Sequence, residues 1–282
     1  MDDLLTTQLS RIDVPALSAA WEKAQPTHFF SMDDFLDPDF AREVAAAFPD
    51  YASAVARADA GAGKRFERVN EDVKVQITDA SQFAEPVQRL NRLLASREFI
   101  DVLERVTGIP KLLPDPELHG AGMHIMGPGG NLGVHLDFNY LRKANLWRRV
   151  NLLVYLTPDW DPSWGGEFDL WDPDVKECVE VFAPRFNRCA AFNTTTESFH
   201  GVRAIRCPDG VTRNSFAVFY YTEQPPSAFE GRAFSTIYRA RPGEWWKRWV
   251  QMPIEAMRKA LPRARRALRP ALLPVLRGLG LR

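Results

Sequence analysis

Residues 119–138 read HGAGMHIMGPGGNLGVHLDF, and within this stretch the spacing of apolar residues changes from helical to alternating. From here to residue 222 short β-prone runs follow one another: HGAGMHIM, GVHLDF, RVNLLVYLT, GEFDLWD, VEVFAP, RCAAFNT, HGVRAIR and NSFAVFYYT. The segments GPGG, DPSWGG and CPDG between them carry the Gly, Pro and Asp that turns favour. Runs of this kind suit a double-sheet jelly roll, in which two antiparallel layers bury one face of each strand against the other layer.

Upstream, the period is helical. Residues 14–24 read as a helix, and Asp37-Pro38 supplies a cap and first turn for a second helix that buries Phe40, Val44, Ala47 and Phe48. Residues 81–107 give two further helices, with Val87, Leu90, Leu93, Leu94, Ile100, Leu103 and Val106 facing inward and Gly108 and Pro110 as the stop. The stretch from Tyr51 to Lys64, rich in Ala, Gly and charge, is expected to be a mobile loop. The expected fold is therefore α+β with a mainly β core. Residues 1–118 form a helical support region of the same domain, residues 119–230 a double-stranded β-helix, and residues 231–282 a basic amphipathic tail.

In a strand, residues two apart project from the same face, so His135 and Asp137 would point together beneath the sheet. His200, in ESFHGV at the start of a later run, is the best third group. Two imidazoles and one carboxylate on one side of a six-coordinate ion leave three positions open, the arrangement of non-haem Fe(II) oxygenases. A lone His-x-Asp is more often a polar pair on an ordinary strand. Among the other histidines, His28 flanks a helix or edge strand and His119 is a loop residue. His124 either fills the core or reaches the same cavity. Arg213 opens the run NSFAVFYYT after the CPDG turn, where a hairpin would return it toward the metal beside Ser215. A buried guanidinium there requires an anion, whereas one at the turn pairs with a surface acid.

Taken in order, GPGGNLGVHLDFN, RRVNLLVYLTPDW, WGGEFDLWD, FNTTTESFHGV and TRNSFAVFYYT resemble the Fe(II)/2-oxoglutarate-dependent dioxygenases of the prolyl 4-hydroxylase-like group. The resemblance covers roughly residues 119 to 222, and a weaker likeness reaches HFFSMDDFLDPDFAREVAAAFPD. It implies that His135, Asp137 and His200 bind Fe(II) and that Arg213 holds the distal carboxylate of 2-oxoglutarate, with Tyr155 and Ser215 in support. Where relatives often carry a tyrosine before the glycine turn, this chain has His124 and Met126, so His124 becomes a candidate co-substrate contact. The implied activity is hydroxylation of an unactivated C–H bond with O2, giving succinate and CO2, and ascorbate is a candidate accessory reductant. The resemblance suggests a small polar, sugar or glycan-linked substrate first and a prolyl side chain second. Asn139, Tyr140, Arg142 and Arg148, after the His-x-Asp strand, are candidate substrate contacts or else a solvated basic loop.

Formal net charge is zero, yet residues 231–282 hold 13 Lys and Arg against two acids. Trp246, Trp249, Val250, Ile254, Met257 and Leu261 recur at helical spacing among basic residues. Residues 245–282 thus read either as a peripheral contact with an anionic membrane surface or as a helix packed on the core with a disordered end. Nucleic acid is disfavoured, since no reading motif is present. The acidic, polar N-terminus and the scattered Cys178, Cys189 and Cys207 suit a reducing, cytoplasmic setting. Two rival functions stay open: a carbohydrate-binding jelly roll of lectin or cupin type, and a divalent-metal hydrolase, which needs a general base such as Glu167 or Glu197 turned inward.

Overall fold

The computed structural model describes residues 2–115, 117–226, 232–254 and 256–257. It divides into two compact units, residues 1–239 and 240–282. The helices of the first unit are α1 (Asp2–Ser10), α2 (Val14–Lys23), α3 (Pro38–Ala46), α4 (Tyr51–Arg57), α5 (Glu85–Ala95) and α6 (Arg97–Thr107). Its strands are β1 (Phe29–Met32), β2 (Gly63–Arg68), β3 (Glu71–Ile77), β4 (Leu113–Pro114), β5 (Gly122–Leu136), β6 (Tyr140–Leu141) and β7 (Leu146–Tyr155). They continue with β8 (Phe168–Trp171), β9 (Cys178–Phe182), β10 (Cys189–Asn193), β11 (His200–Val202), β12 (Arg213–Thr222) and β13 (Ile237–Tyr238). All pair antiparallel in one sheet whose main path runs β1-β10-β7-β12-β5-β11-β8-β9. The result is a mainly β, jelly-roll-like fold with helices gathered in the N-terminal part of the chain.

Apolar spacing fixes the helices. Asp37 caps α3 by accepting from the amides of Asp39 and Phe40, and Phe40 and Val44 are buried. Val87, Leu90, Leu93 and Leu94 on α5, with Ile100, Leu103 and Val106 on α6, are all buried. Gly108 ends α6 in the left-handed region at φ 68°. Tyr220 on β12 donates its hydroxyl to the Leu94 carbonyl at 2.9 Å, which ties the sheet to α5.

Three expectations are corrected. The stretch from Tyr51 to Lys64 is ordered secondary structure. Ala-rich α4 is capped by the Asp50 carboxylate, which accepts from the Ser53 amide at 2.7 Å, and Ala54, Ala58 and Ala62 are buried, because small side chains let a helix approach closely while keeping high helix propensity. The chain then enters the β2–β3 hairpin, and β3 pairs along β5. Second, GPGG is no turn between strands: residues 122–136 form one 15-residue strand, with Gly129 at φ 82°. Third, β11 and β12 do not form a hairpin; β11 pairs with β5 and β8, and β12 with β4, β5 and β7.

Asn187 fastens the chain before α3 to the sheet. Its side chain accepts from the Leu36 amide and donates to the Leu36 carbonyl, both at 2.8 Å. Its own amide donates to the Tyr155 carbonyl at 2.8 Å. The residue is 2% exposed and left-handed at φ 60°, where Asn is tolerated. Asn187→Ala strands two buried backbone groups and is expected to lower unfolding stability by about 2–4 kcal/mol, read by urea denaturation. Asn187→Gly removes the backbone strain but should keep most of that loss.

Candidate active site

β5 and β11 bring the two histidines together, because His135 and His200 are directly paired across the strands. Their ring centroids lie 4.3 Å apart. Asp137, just past the end of β5, sets Oδ1 3.5 Å from His135 Nε2 and Oδ2 3.3 Å from His200 Nε2. One ligand atom from each residue lies within 4.8 Å of the others, the compact cluster an ion needs. Each ring is oriented from behind. His135 Nδ1 donates to the Gly133 carbonyl at 2.9 Å and His200 Nδ1 to the Ser198 carbonyl at 2.8 Å. A carbonyl can only accept, so Nε2 of each neutral ring keeps its lone pair for a metal.

Charge is arranged to match. Burial pushes the Asp137 carboxyl up, but the Arg148 guanidinium beside it outweighs this and holds it well below the usual carboxylate range. Arg148 Nη2 lies 3.0 Å from Asp137 Oδ2, and Asn151 Nδ2 donates to the same oxygen at 2.8 Å. Burial and the neighbouring His135 lower the His200 pKa, which keeps that imidazole neutral. An anionic carboxylate beside a neutral imidazole is the protonation state in which a divalent cation binds.

A second constellation lies along the same sheet. Arg213, Ser215 and Tyr155 share one neighbourhood, since Ser215 pairs with Tyr155 on β7 and with His124 on β5, and Arg213 pairs with Met126. All three side chains are buried. Arg213 Nε donates to the Gly166 carbonyl at 2.6 Å and its guanidinium carbon sits 5.0 Å from the Tyr155 ring centroid. Among the described residues, Arg213 Nη2, the Tyr155 hydroxyl and Ser215 Oγ have no hydrogen-bond partner. Burial pushes the Tyr155 hydroxyl up to about 12, so it remains a donor. Two buried hydroxyls beside a fixed cation with an unpaired nitrogen of its own call for an oxygen-rich anion.

Both constellations lie at one cavity of about 290 Å³, whose lining includes His135, Asp137, His200, Arg213, Ser215 and His124. Tyr155 meets it through Arg213. His124 Nε2 lies 2.9 Å from Gln76 Nε2, and burial with the neighbouring Lys74 holds its pKa well below the usual imidazole range. His119 also lines the cavity, edge-on to Phe138, whereas His28 stacks on Trp21 elsewhere. Strand β13 covers the metal end, where Tyr238 pairs with His135 and stacks on its ring at 5.4 Å.

The residues proposed to meet substrate separate. Arg148 lines the cavity but is buried against Asp137 and lies 3.4 Å from the Phe219 ring centroid, so it serves the carboxylate. Asn139 is fully buried and clamps the returning chain, donating to the Arg232 carbonyl and accepting from the Phe234 amide. Tyr140 bonds Asn145 and lies against Trp147, and Arg142 is exposed. None of these last three lines the cavity. Residues missed from the sequence line it instead: Lys64, Phe66, Glu71, Lys74 and Gln76 of the β2–β3 hairpin. Their signal was the alternation in EDVKVQI, obscured by its charges.

A family model described as the 2OG-Fe(II) oxygenase superfamily matches residues 121–221. Over 90 residues the chain is 32% identical to the prolyl 3-hydroxylase OGFOD1 of Mus musculus, a match covering 29% of this chain and 16% of that protein. The Xenopus laevis protein of that name is 31% identical over 90 residues, or 29% of this chain and 17% of that one. The chain thus spans about a sixth of the length of these curated relatives. Among solved structures, a prolyl hydroxylase from Trichoplax adhaerens, in complex with a hypoxia inducible factor oxygen degradation domain peptide fragment, matches with a TM-score of 0.54. Identity is 18%, covering 77% of this chain and 94% of that one, a likeness of fold. Residues 121–221 thus match the 2OG-Fe(II) oxygenase superfamily, and the chain is similar to prolyl hydroxylases.

Asn151→Ala removes one of the two supports of Asp137. Divalent-metal affinity is expected to fall about 10- to 100-fold, measured by Co(II) titration of the d–d absorption.

Proposed function

We propose that the protein is a 2-oxoglutarate-dependent hydroxylase acting on a prolyl residue of a peptide. The observation that carries this reading is the trio of buried groups without a hydrogen-bond partner among the described residues, Arg213 Nη2, Tyr155 OH and Ser215 Oγ, in the neighbourhood of a His-Asp-His cluster. Neither rival needs it, for a sugar-binding jelly roll has no use for a buried cation near a metal cluster. A hydrolase needs a free base, and the carboxylates lining the cavity are Glu71, paired with Lys74, and Asp137, paired with Arg148. Of the alternatives considered, Glu197 is exposed.

His135, Asp137 and His200 would hold Fe(II), and Arg213, Tyr155 and Ser215 the distal carboxylate of 2-oxoglutarate. Bound together, iron and keto acid supply the oxidising chemistry, in which O2 is consumed, CO2 and succinate leave, and one oxygen atom enters a substrate C–H bond. The chain does the rest. Phe168, Phe192 and Leu153 line the cavity with apolar surface that excludes water. Arg148 and Asn151 keep Asp137 ionised and fixed, so no ligand must reorganise on binding. A prolyl substrate is preferred because the relatives with sequence similarity are named prolyl hydroxylases; their names lend nothing to a sugar-linked one. Residues 245–254 are mostly helical with Trp245, Trp246 and Trp249 exposed, and among the described residues no helix is long and apolar enough to cross a membrane. Much of the proposed membrane-contact segment, residues 258–282, lies outside the described residues.

Anaerobic addition of Fe(II) and 2-oxoglutarate is expected to produce the visible charge-transfer band of the chelate, and His135→Ala and His200→Ala to abolish it. Arg213→Met should keep the band but raise the 2-oxoglutarate concentration needed by about 10- to 100-fold, the worth of one or two charge-assisted hydrogen bonds. A folded wild type without the band would refute the proposal.

A further inference from the structure

The β2–β3 hairpin forms a side wall of the cavity. Phe66 pairs with Lys74 and Lys64 with Gln76, and these four line the cavity, whereas Val75 and Ile77 on the opposite face are fully buried in the core. Lys74 is unusual in this wall. Its side chain is only 5% exposed, its Nζ donates to Glu71 Oε1 at 3.2 Å, and it sits 5.1 Å above the Phe66 ring. An ammonium has three N–H donors, and Glu71 is its one hydrogen-bond acceptor among the described residues. A buried cation this short of acceptors, facing a cavity, calls for a further oxygen ligand.

The backbone is bent to put it there. The β3–β5 register shifts between Asp72 and Lys74, and Val73 lies at φ 45°, which a β-branched residue rarely adopts. Glycines of β5 make room: a Cβ at Gly127 would sit 3.2 Å from Val73 Cγ1, and one at Gly130 3.2 Å from the Val73 carbonyl oxygen. The GPGG run therefore admits a bulge that re-aims Lys74 and Glu71. Strain of this kind persists where the surrounding structure uses it.

We propose that Lys74, with Lys64 at the rim, is a specificity-determining residue that binds a carboxylate of the peptide substrate close to the residue entering the metal centre. This deepens the hydroxylase reading and rests on it. The co-substrate does not account for Lys74, because Arg213, Tyr155 and Ser215 already converge on its distal carboxylate. Along the row Lys74, Met126, Arg213 the Cα atoms of the two basic residues are two strand spacings, about 10 Å, apart. Lys64 and Lys74 against Glu71 leave one positive charge on this wall, the complement of one carboxylate. That carboxylate belongs to an Asp or Glu side chain or to a free C-terminus.

The test uses the full chain with Fe(II) and 2-oxoglutarate, without oxygen, to select from a random peptide library with one fixed proline, made with free and with amidated C-termini. Wild type is expected to enrich peptides carrying Asp or Glu at one position, or the free C-terminus, by about 10- to 100-fold over their amides. Lys74→Met should lose that preference while its chelate titrates with 2-oxoglutarate as in wild type. The double variant Glu71→Gln/Lys74→Met leaves no charge unpaired, guards against misfolding, and should behave likewise. A wild type that forms the chelate yet selects acids and amides alike overturns the proposal alone, as does a preference that survives Lys74→Met. Lys74→Met weakening the chelate as Arg213→Met does would make Lys74 a co-substrate residue instead. No chelate band in the wild type would overturn the hydroxylase reading, and this proposal with it.

Discussion

An ionised carboxylate in a buried cavity is the constraint on which the molecule turns. Asp137 can stay charged there only because Arg148 and Asn151 on β7 reach its Oδ2. Those residues in turn are held by packing, with Arg148 against the rings of Phe138 and Phe219 and its Nε donating to the Asn151 oxygen at 2.6 Å. Desolvation that would otherwise neutralise the group is offset by a cation that cannot itself lose its proton. The site is thereby charged for a metal before one arrives.

β5 makes this geometry available. One strand carries Met126 and His124 toward the Arg213 end and His135 toward the metal end, so the two halves of the cavity share a single backbone. It can serve both because its partners change along its length, from β12 to β11 on one side and from β3 to β13 on the other. Bulges and glycines are what let a strand turn from one layer into the next. In GPGG the same residues that would end a strand instead bend it.

Much of this was legible in the sequence. The alternation of His135 and Asp137 put both groups on one side of the backbone, and the late β run put His200 within reach. Helices α5 and α6 followed from apolar spacing that tertiary contacts reinforce. What stayed hidden was the β2–β3 hairpin, because EDVKVQI places a lysine and a glutamine where a buried strand face normally carries apolar residues, and those two side chains face a polar cavity. Arg148 was also misread, since its charge suggested solvent or substrate, while its partner Asp137 lies 11 residues earlier and meets it only after the strands have folded. Asn139 failed for the opposite reason: its side chain satisfies the backbone of residues 232–234, a contact across 93 residues that no local pattern announces.

That same clamp has a consequence for the order in which the molecule is completed. The covering of His135 by Tyr238 joins two places 103 residues apart in the chain, and the clamp at Asn139 holds the approach to it. During synthesis every metal ligand has left the ribosome well before Tyr238 does. A nascent chain can therefore gather its ligands while one imidazole is still uncovered, and the centre becomes sheltered only as β13 is laid down.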